Sequence, residues 1–283
     1  MRILLTGAEG FTGRQFVRSA AAAGQETVAL QADLTQSEAV QQEVLALEFD
    51  AVLHLAGISF VGHADERAFY DVNLFGTLNL LDALKNSGRS LRKVLLASSA
   101  NVYGNCEHSP IPESQVPAPV NHYATSKLAM EHMARARSGP LPLVIARPFN
   151  YTGPGQAEQF IIPKLVDHFR RRLPAIAMGN LHVQREYNDV RFVCEAYLQL
   201  LGSEAASGTY NICTGRTYDF EQSLALLHDL TGHRIEVRVD PAFVRDNEVD
   251  RLCGDPARLR EAIGPLPAYS FAETLAWMLA QPQ

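Results

Sequence analysis

The start of the chain constrains its fold most. Arg2 to Thr6 is a short apolar run that passes directly into Gly7-Ala8-Glu9-Gly10-Phe11-Thr12-Gly13. Three glycines spaced three apart, between a predicted strand and a helix predicted over 16–23, form a demanding arrangement. Glycine permits the tight turn and removes side chains that would hold a ligand off the backbone. A helix that begins there offers unpaired N–H groups and the positive end of its dipole, which suits a pyrophosphate. The pattern predicts a parallel α/β sheet that binds a dinucleotide at its first strand-to-helix turn.

The rest of the chain alternates as such a sheet requires. A second strand is predicted over 27–30. Asp33-Leu34 follows almost at once, then a helix over about 37–47. Asp33 lies about 20 residues past the last glycine, where a carboxylate can hold the adenosine ribose. A second reading is that the helix and strand usual here are deleted and Asp33-Leu34 contacts adenine. The bland alternative is an acid at a helix N-terminus. Neither functional reading separates NAD from NADP, and Arg14 would suit a 2′-phosphate. A buried strand over 51–55 ends in Leu55-Ala56-Gly57, small enough for cofactor backbone to pass closely. A helix predicted over about 66–85 carries polar Asn73 and Asn79 among apolar neighbours. A strand over 93–98 ends in Ser98-Ser99-Ala100-Asn101. A strand over 143–146 runs into Arg147-Pro148-Phe149-Asn150, and the turn residues up to Gly155 mark the end of a first domain near residue 150. Helices over about 160–171, 189–201 and 220–230, a strand over 235–239 and a last helical region complete the expectation.

Chemistry concentrates at Tyr123-Ala-Thr-Ser-Lys127. Residues four apart share one face of a helix. An ammonium beside a phenol favours the phenolate, so Lys127 is expected to lower the pKa of Tyr123 and make it a usable acid near neutrality. Ser99, at a strand end upstream, is placed to hydrogen-bond a substrate oxygen beside the phenol.

Composition narrows the class. A formal net charge of −6 suggests no nucleic-acid or polyanion surface. The four cysteines, at 106, 194, 213 and 253, lack metal-type spacing and read as reduced thiols of a cytosolic protein. No apolar run approaches the roughly 20 residues of a membrane span. No metal site is expected.

Taken in order, Gly7-x-x-Gly10-x-x-Gly13, Ser99, Tyr123-x-x-x-Lys127 and Arg147-Pro148-Phe149-Asn150 resemble the extended short-chain dehydrogenase/reductases that act on nucleotide sugars, over essentially the whole chain. The resemblance implies a Rossmann doubly wound parallel sheet over residues 1–150, with some later segments returning to it, and a smaller C-terminal α/β substrate domain over 151–283. It implies a nicotinamide cofactor, NAD or NADP, held by Gly7, Gly10, Phe11, Thr12, Gly13, Asp33 and Leu34. Leu55, Ala56, Gly57, Asn73, Ser98 and Pro148 would complete that site with Tyr123 and Lys127. Catalysis would fall to Ser99, Tyr123 and Lys127.

Within this family the chain is similar to the GDP-mannose branch, which holds a 4,6-dehydratase and a 4-keto-6-deoxy-mannose reductase. Phe160-Ile-Ile-Pro-Lys164 after Gly153-Pro154-Gly155-Gln156, Arg185, and Arg245-x-x-Glu248-Val-Asp250 carry this likeness. They imply that Lys164 and Arg185 face the diphosphate, that Arg245 and Glu248 read the base and sugar, and that Ser99, Asn101 and Asn150 touch substrate. One departure is informative. Related dehydratases carry a glutamate two residues after the catalytic Ser/Thr, and here that position is Asn101, which cannot act as a base. The expectation is therefore a reductase acting on a GDP-linked 4-keto-6-deoxy sugar. A nucleotide-sugar 4-epimerase with retained NAD and a non-catalytic dinucleotide sensor are the rivals. In relatives the helices predicted over 66–85 and 123–137 pair in a four-helix bundle, so a homodimer is expected, with Leu78, Leu81, Leu128 and Met133 as candidate contacts.

Overall fold

A computed structural model describes residues 1–205, 207–244 and 248–281. Its centre is a six-stranded sheet whose five named strands are β1 (Arg2–Thr6), β2 (Glu26–Leu30), β3 (Ala51–His54), β4 (Lys93–Ala97) and β5 (Leu143–Pro148). The strand Gly208–Ile212 pairs with β5, and the order runs from it through β5, β4, β3 and β1 to β2. Every pairing is parallel. Successive side chains in a strand point to opposite faces, and both faces here are apolar. Ile3, Leu5, Leu53 and Leu95 pack on one side with Phe16, Val193 and Leu200. Leu4, Val52, Val94 and Leu96 pack on the other with Val40, Leu80 and Met130. Continuous apolar strands of this kind require helices on both faces.

The sheet bears on the segment around Asp33. Strand β2 lies at the sheet edge, and the chain passes through α2 (Ser37–Ala46) straight to β3 on the far side of β1. Among the described residues no strand lies outside β2, so the usual additional unit is missing. The short loop after β2 packs instead on the helix that precedes β4. A Cβ at Gly76 would lie 2.9 Å from the Leu34 Cβ, and the Asn79 amide donates to the Leu34 carbonyl at 2.8 Å.

That helix departs from the single element expected over 66–85. It is a short turn at Glu66–Ala68, a π-helical stretch Phe69–Gly76, and an α-helix Thr77–Asn86. Local widening of this kind is frequent at functional sites, and Asn73 sits within it.

Beyond β5 the chain builds a second, smaller core. The helices Ile161–Arg170, Phe220–Thr231 and Phe271–Leu279 enclose Ile162, Leu165, Phe169, Leu227 and Leu275. Short strands flank them: Gln184–Glu186 between Thr217–Tyr218 and Arg251–Leu252, and Ala175–Met178 beside Glu236–Val239. The helix Val190–Gly202 and the strand Gly208–Ile212 return to the first sheet. Among the described residues no helix is long and apolar enough to cross a membrane.

Candidate active site

The glycine turn has the shape of a cradle. Helix α1 spans Phe11–Ala22, five residues earlier than the sequence predicts, and its N-cap Gly10 supplies no side-chain hydrogen bond. The first-turn N–H groups therefore lack a side-chain partner. A Cβ at Gly7 would lie 2.8 Å from the Ala56 nitrogen, and one at Gly13 would lie 2.1 Å from the Gly7 carbonyl. Gly7 also takes a φ of 71°, which disfavours other residues. Close packing of glycine loop, helix start and Leu55-Ala56-Gly57 fits a pyrophosphate that must approach backbone. Thr12 bonds Tyr151 at 2.8 Å, and Phe11 stacks on the same ring at 6.1 Å. Arg14 reaches the carbonyls of Glu9 and Gly155.

A directed hydrogen-bond chain sets the floor of this cradle. The Thr6 hydroxyl accepts from the Leu55 and Ala56 nitrogens at 3.1 and 3.0 Å. Both its lone pairs are thereby used, so its own proton donates to His54 Nδ1 at 2.7 Å. His54 Nε2 must then carry the hydrogen, which it donates to Thr77 Oγ1 at 2.8 Å. Thr77 in turn donates to the Asn73 carbonyl at 2.7 Å. Burial, reinforced by the charge of Lys127, pushes His54 down to about 3, so it is neutral. Asn73 closes the chain: its amide accepts from the Ile58 nitrogen at 2.8 Å and donates to the Ile58 carbonyl and Ser126. Asn73 is fully buried and holds the Ile58 backbone from behind.

The reactive trio lies where β4 and the helix His122–Arg137 converge. Ser99, Tyr123 and Lys127 are each less than a tenth exposed. Asn121 caps that helix by accepting from the Ala124 nitrogen. The Lys127 ammonium donates to the carbonyl of Ala97, the last residue of β4, at 2.8 Å. A Cβ at Gly57 would come 3.3 Å from Lys127 Nζ and 2.7 Å from Asn73 Oδ1, so this glycine is what leaves room for the ammonium.

The electrostatics differ from expectation at Tyr123. Burial pushes its phenol up, and a hydrogen bond with Ser99 pulls it down. Burial instead lowers Lys127 to about 8, opposed by Glu131 one turn further along the helix. Glu131 is fully buried and binds Arg147 through Oε1 at 2.8 Å and Oε2 at 2.6 Å. Ser98, expected at the cofactor, instead donates its hydroxyl to Glu131 at 2.6 Å. Its side chain therefore belongs to the network behind the site. Asn101, expected on substrate, bonds Ser99.

Other expected residues fall in several places. Pro148 ends β5 and pairs with Ile212. The Asp33 carboxylate accepts from the backbone and hydroxyl of Thr35, and these bonds hold it below its usual range. It is thus a loop-forming acid at the edge of the cradle. Asn150 is exposed, and its carbonyl accepts from the Asn188 backbone. Lys164 donates to the Ala177 carbonyl at 2.7 Å and lies over the Phe243 ring at 4.5 Å. The structure joins Arg185 and Glu248 in an ion pair of 2.6 Å, with only 8% and 23% of their side chains exposed. Arg245 lies outside the described residues. Tyr151 and His54 escaped the sequence reading. One aromatic in a turn and one histidine at the end of an apolar strand carry no periodic signal.

A model of the family described as GDP-mannose 4,6 dehydratase matches residues 18–278. The chain belongs to this family. The chain is also similar to named proteins and to solved structures. A GDP-6-deoxy-D-mannose reductase of Pseudomonas aeruginosa is 35% identical over 99% of this chain and 96% of its own. A GDP-6-deoxy-D-talose 4-dehydrogenase of Aggregatibacter actinomycetemcomitans is 34% identical over 93% of this chain and 92% of its own. The structure of RMD from Pseudomonas aeruginosa with NADPH superposes with a TM-score of 0.87 at 34% identity, covering 99% of this chain and 96% of that one. Through Ala56, which abuts Gly7, and Gly57, which lies against Lys127 Nζ, the glycine turn at Gly7–Gly13 is packed beside the end of the helix that carries Tyr123 and Lys127.

Proposed function

We propose that this chain reduces the C4 ketone of GDP-4-keto-6-deoxy-D-mannose with NADPH or NADH, giving GDP-D-rhamnose or its C4 epimer GDP-6-deoxy-D-talose. The observation that carries the reading is the buried grouping of Ser99, Tyr123 and Lys127 with an amide, not a carboxylate, at position 101. Ketone reduction needs one proton and no base at that place. The nicotinamide, when bound, supplies the hydride. Tyr123 holds the proton that the developing O4 alkoxide takes. Ser99 orients that oxygen, and Lys127 supplies positive charge between the Ala97 carbonyl and the cofactor loop. Phe11, Thr12 and the glycine backbone bind the pyrophosphate. Arg185, Lys164 and Glu248 receive the GDP moiety, with Arg245 as a further contact.

The two relatives at 34% and 35% identity carry names that differ in configuration at C4. The face on which the sugar lies decides the product, so the direct test is incubation with GDP-4-keto-6-deoxy-mannose and NADPH or NADH, with the product read by NMR. Absence of turnover with both cofactors refutes the proposal. A 4-epimerase is the second reading. It is favoured by a UDP-glucose 4-epimerase of Streptomyces lividans at 28% identity. An epimerase retains its NAD through purification, whereas a reductase exchanges it.

The assembly we propose is a homodimer in the reducing cytoplasm. Leu78 and Leu81 are not free for it, since both are buried in the chain's own core. Phe75 and Met133, 54% and 40% exposed on the two neighbouring helices, are the apolar groups left for a second copy. A monomer by light scattering at micromolar concentration counts against it.

A further inference from the structure

We infer that Asn101 is the positioning residue that leaves the Ser99 hydroxyl only its hydrogen to offer and so makes it a hydrogen-bond donor to the substrate oxygen. The inference rests on the proposed reading and adds a role for a residue two places past the reactive serine. Ser99 sits in extended backbone just beyond β4 and caps the short 3-10 turn Ala100–Tyr103. That turn folds Asn101 back over it. The Ser99 oxygen accepts from the Asn101 backbone nitrogen and from its side-chain Nδ2, both at 3.1 Å. A hydroxyl has two lone pairs and one hydrogen. With both lone pairs engaged, only the hydrogen remains to be offered. Ser99 is 5% exposed, so bulk water does not compete.

A ketone oxygen only accepts hydrogen bonds, so a serine that orients it must donate. With both Ser99 lone pairs taken by Asn101, the serine hydrogen is left for the substrate oxygen, beside the proton that Tyr123 delivers. As negative charge develops on that oxygen, the bond from Ser99 strengthens. A carboxylate in place of Asn101 accepts hydrogen bonds only. It would draw the Ser99 hydrogen to itself and leave the substrate oxygen without this donor.

The test is a cycle of Asn101→Ala and Asn101→Asp, each alone and combined with Ser99→Ala. kcat and KM are followed against pH, and NADPH binding is followed by fluorescence. Asn101→Ala should lower kcat about 10-fold, the scale of one hydrogen bond near a reacting group, with KM nearly unchanged. Asn101→Asp should lose more at pH 7 and regain rate as pH falls through the carboxyl range, where the protonated acid can again donate. In the Ser99→Ala background, Asn101→Ala should have no further effect. Equal losses from Asn101→Ala in both backgrounds overturn the inference, as does a raised KM with unchanged kcat, which would mark a direct substrate contact. If Asn101→Ala fails to bind NADPH, Asn101→Ser goes through the same cycle under the same criteria. A wild type inactive on GDP-4-keto-6-deoxy-mannose refutes the proposed function and the inference with it; an active wild type with additive losses refutes the inference alone.

Discussion

The two ends of the proposed site are built differently. At the chemical end, Ser99, Tyr123 and Lys127 are buried; Ser99 accepts from Asn101, Lys127 donates to the Ala97 carbonyl, and Glu131 holds the neighbouring Ser98 and Arg147. At the nucleotide end, Arg185 and Glu248 satisfy each other and Lys164 binds its own backbone. The first region is preorganised, as electrostatic catalysis requires. The second must exchange protein partners for ligand groups, so part of its binding energy replaces bonds already made. Geometry at the chemical end should therefore govern rate, and exchange at the nucleotide end should govern affinity and choice of base.

The largest effect should come from breaking the support of the chemical end. Glu131→Ala leaves the Arg147 guanidinium buried without its partner, a change that costs about 3–5 kcal/mol. Chemical denaturation checks it, and a loss below about 1 kcal/mol would mean that the region is not held by this pair. The pH dependence follows from the sign of the Glu131 shift. Hydrogen bonds and charge from Arg147 outweigh burial and hold its carboxyl below the usual value in the folded state. Its contribution is therefore present at neutral pH and fades as pH falls below the ordinary carboxyl range toward the lowered folded value. The gap in stability between wild type and Glu131→Gln should narrow in acid.

Next in size is the proton donor. Tyr123→Phe should cut kcat by roughly 10²-fold or more, the scale of general acid catalysis, and leave NADPH binding nearly intact. Near-normal turnover would remove Tyr123 from the mechanism and erase the contrast between the two ends.

Affinity should respond at the other end. Arg185→Ala should weaken GDP about 10- to 150-fold, the range of one charged contact, with kcat less affected. Calorimetry of GDP, UDP and dTDP should show GDP tightest in the wild type. Equal binding of UDP would leave the reductase chemistry standing and remove the assignment of the base.

The smallest effect concerns Lys127. Burial lowers its folded value to about 8 against 10.5 for an ordinary lysine. Between these values the unfolded chain binds more protons, so this group's contribution to stability rises with pH. Loss of the ammonium should meanwhile reduce kcat/KM as pH climbs past about 8. Opposite trends in stability and activity over that window separate loss of one charge from general unfolding. Parallel trends would refute this role.

Much of the fold was legible locally. Glycine spacing, apolar strands and the Tyr123/Lys127 interval are short-range patterns, and the structure places each in the element that the pattern predicts. Asp33 shows the limit. Its sequence position was compatible with a ribose acid, a deleted unit or a helix entry, and only the edge position of β2 showed that no further strand lies outside it among the described residues. Leu78 and Leu81 read as surface contacts because a helix pattern shows apolarity without showing which neighbour covers it. Ser98 read as a cofactor residue, yet its hydroxyl goes to a glutamate 33 positions away. Asn73 read as a cofactor residue, and its amide bonds the Ile58 backbone and Ser126, 53 positions away. Tyr151 entered the site only because the turn after β5 brings it against Thr12, 139 positions earlier in the chain.

By itself, the sequence determined the class of sheet, the place of the glycine turn, and the sharing of one helix face by Tyr123 and Lys127. These depend on local backbone freedom and on periodicity, which residue order carries directly. The tertiary structure alone decided where each polar side chain points. It set the neutral state of His54, the partner of Ser98, the pairing of Arg185 with Glu248 and the hold of Asn101 on Ser99. The reason is physical: burial strips these groups of water, and each then takes whichever partner the fold brings within about 3 Å.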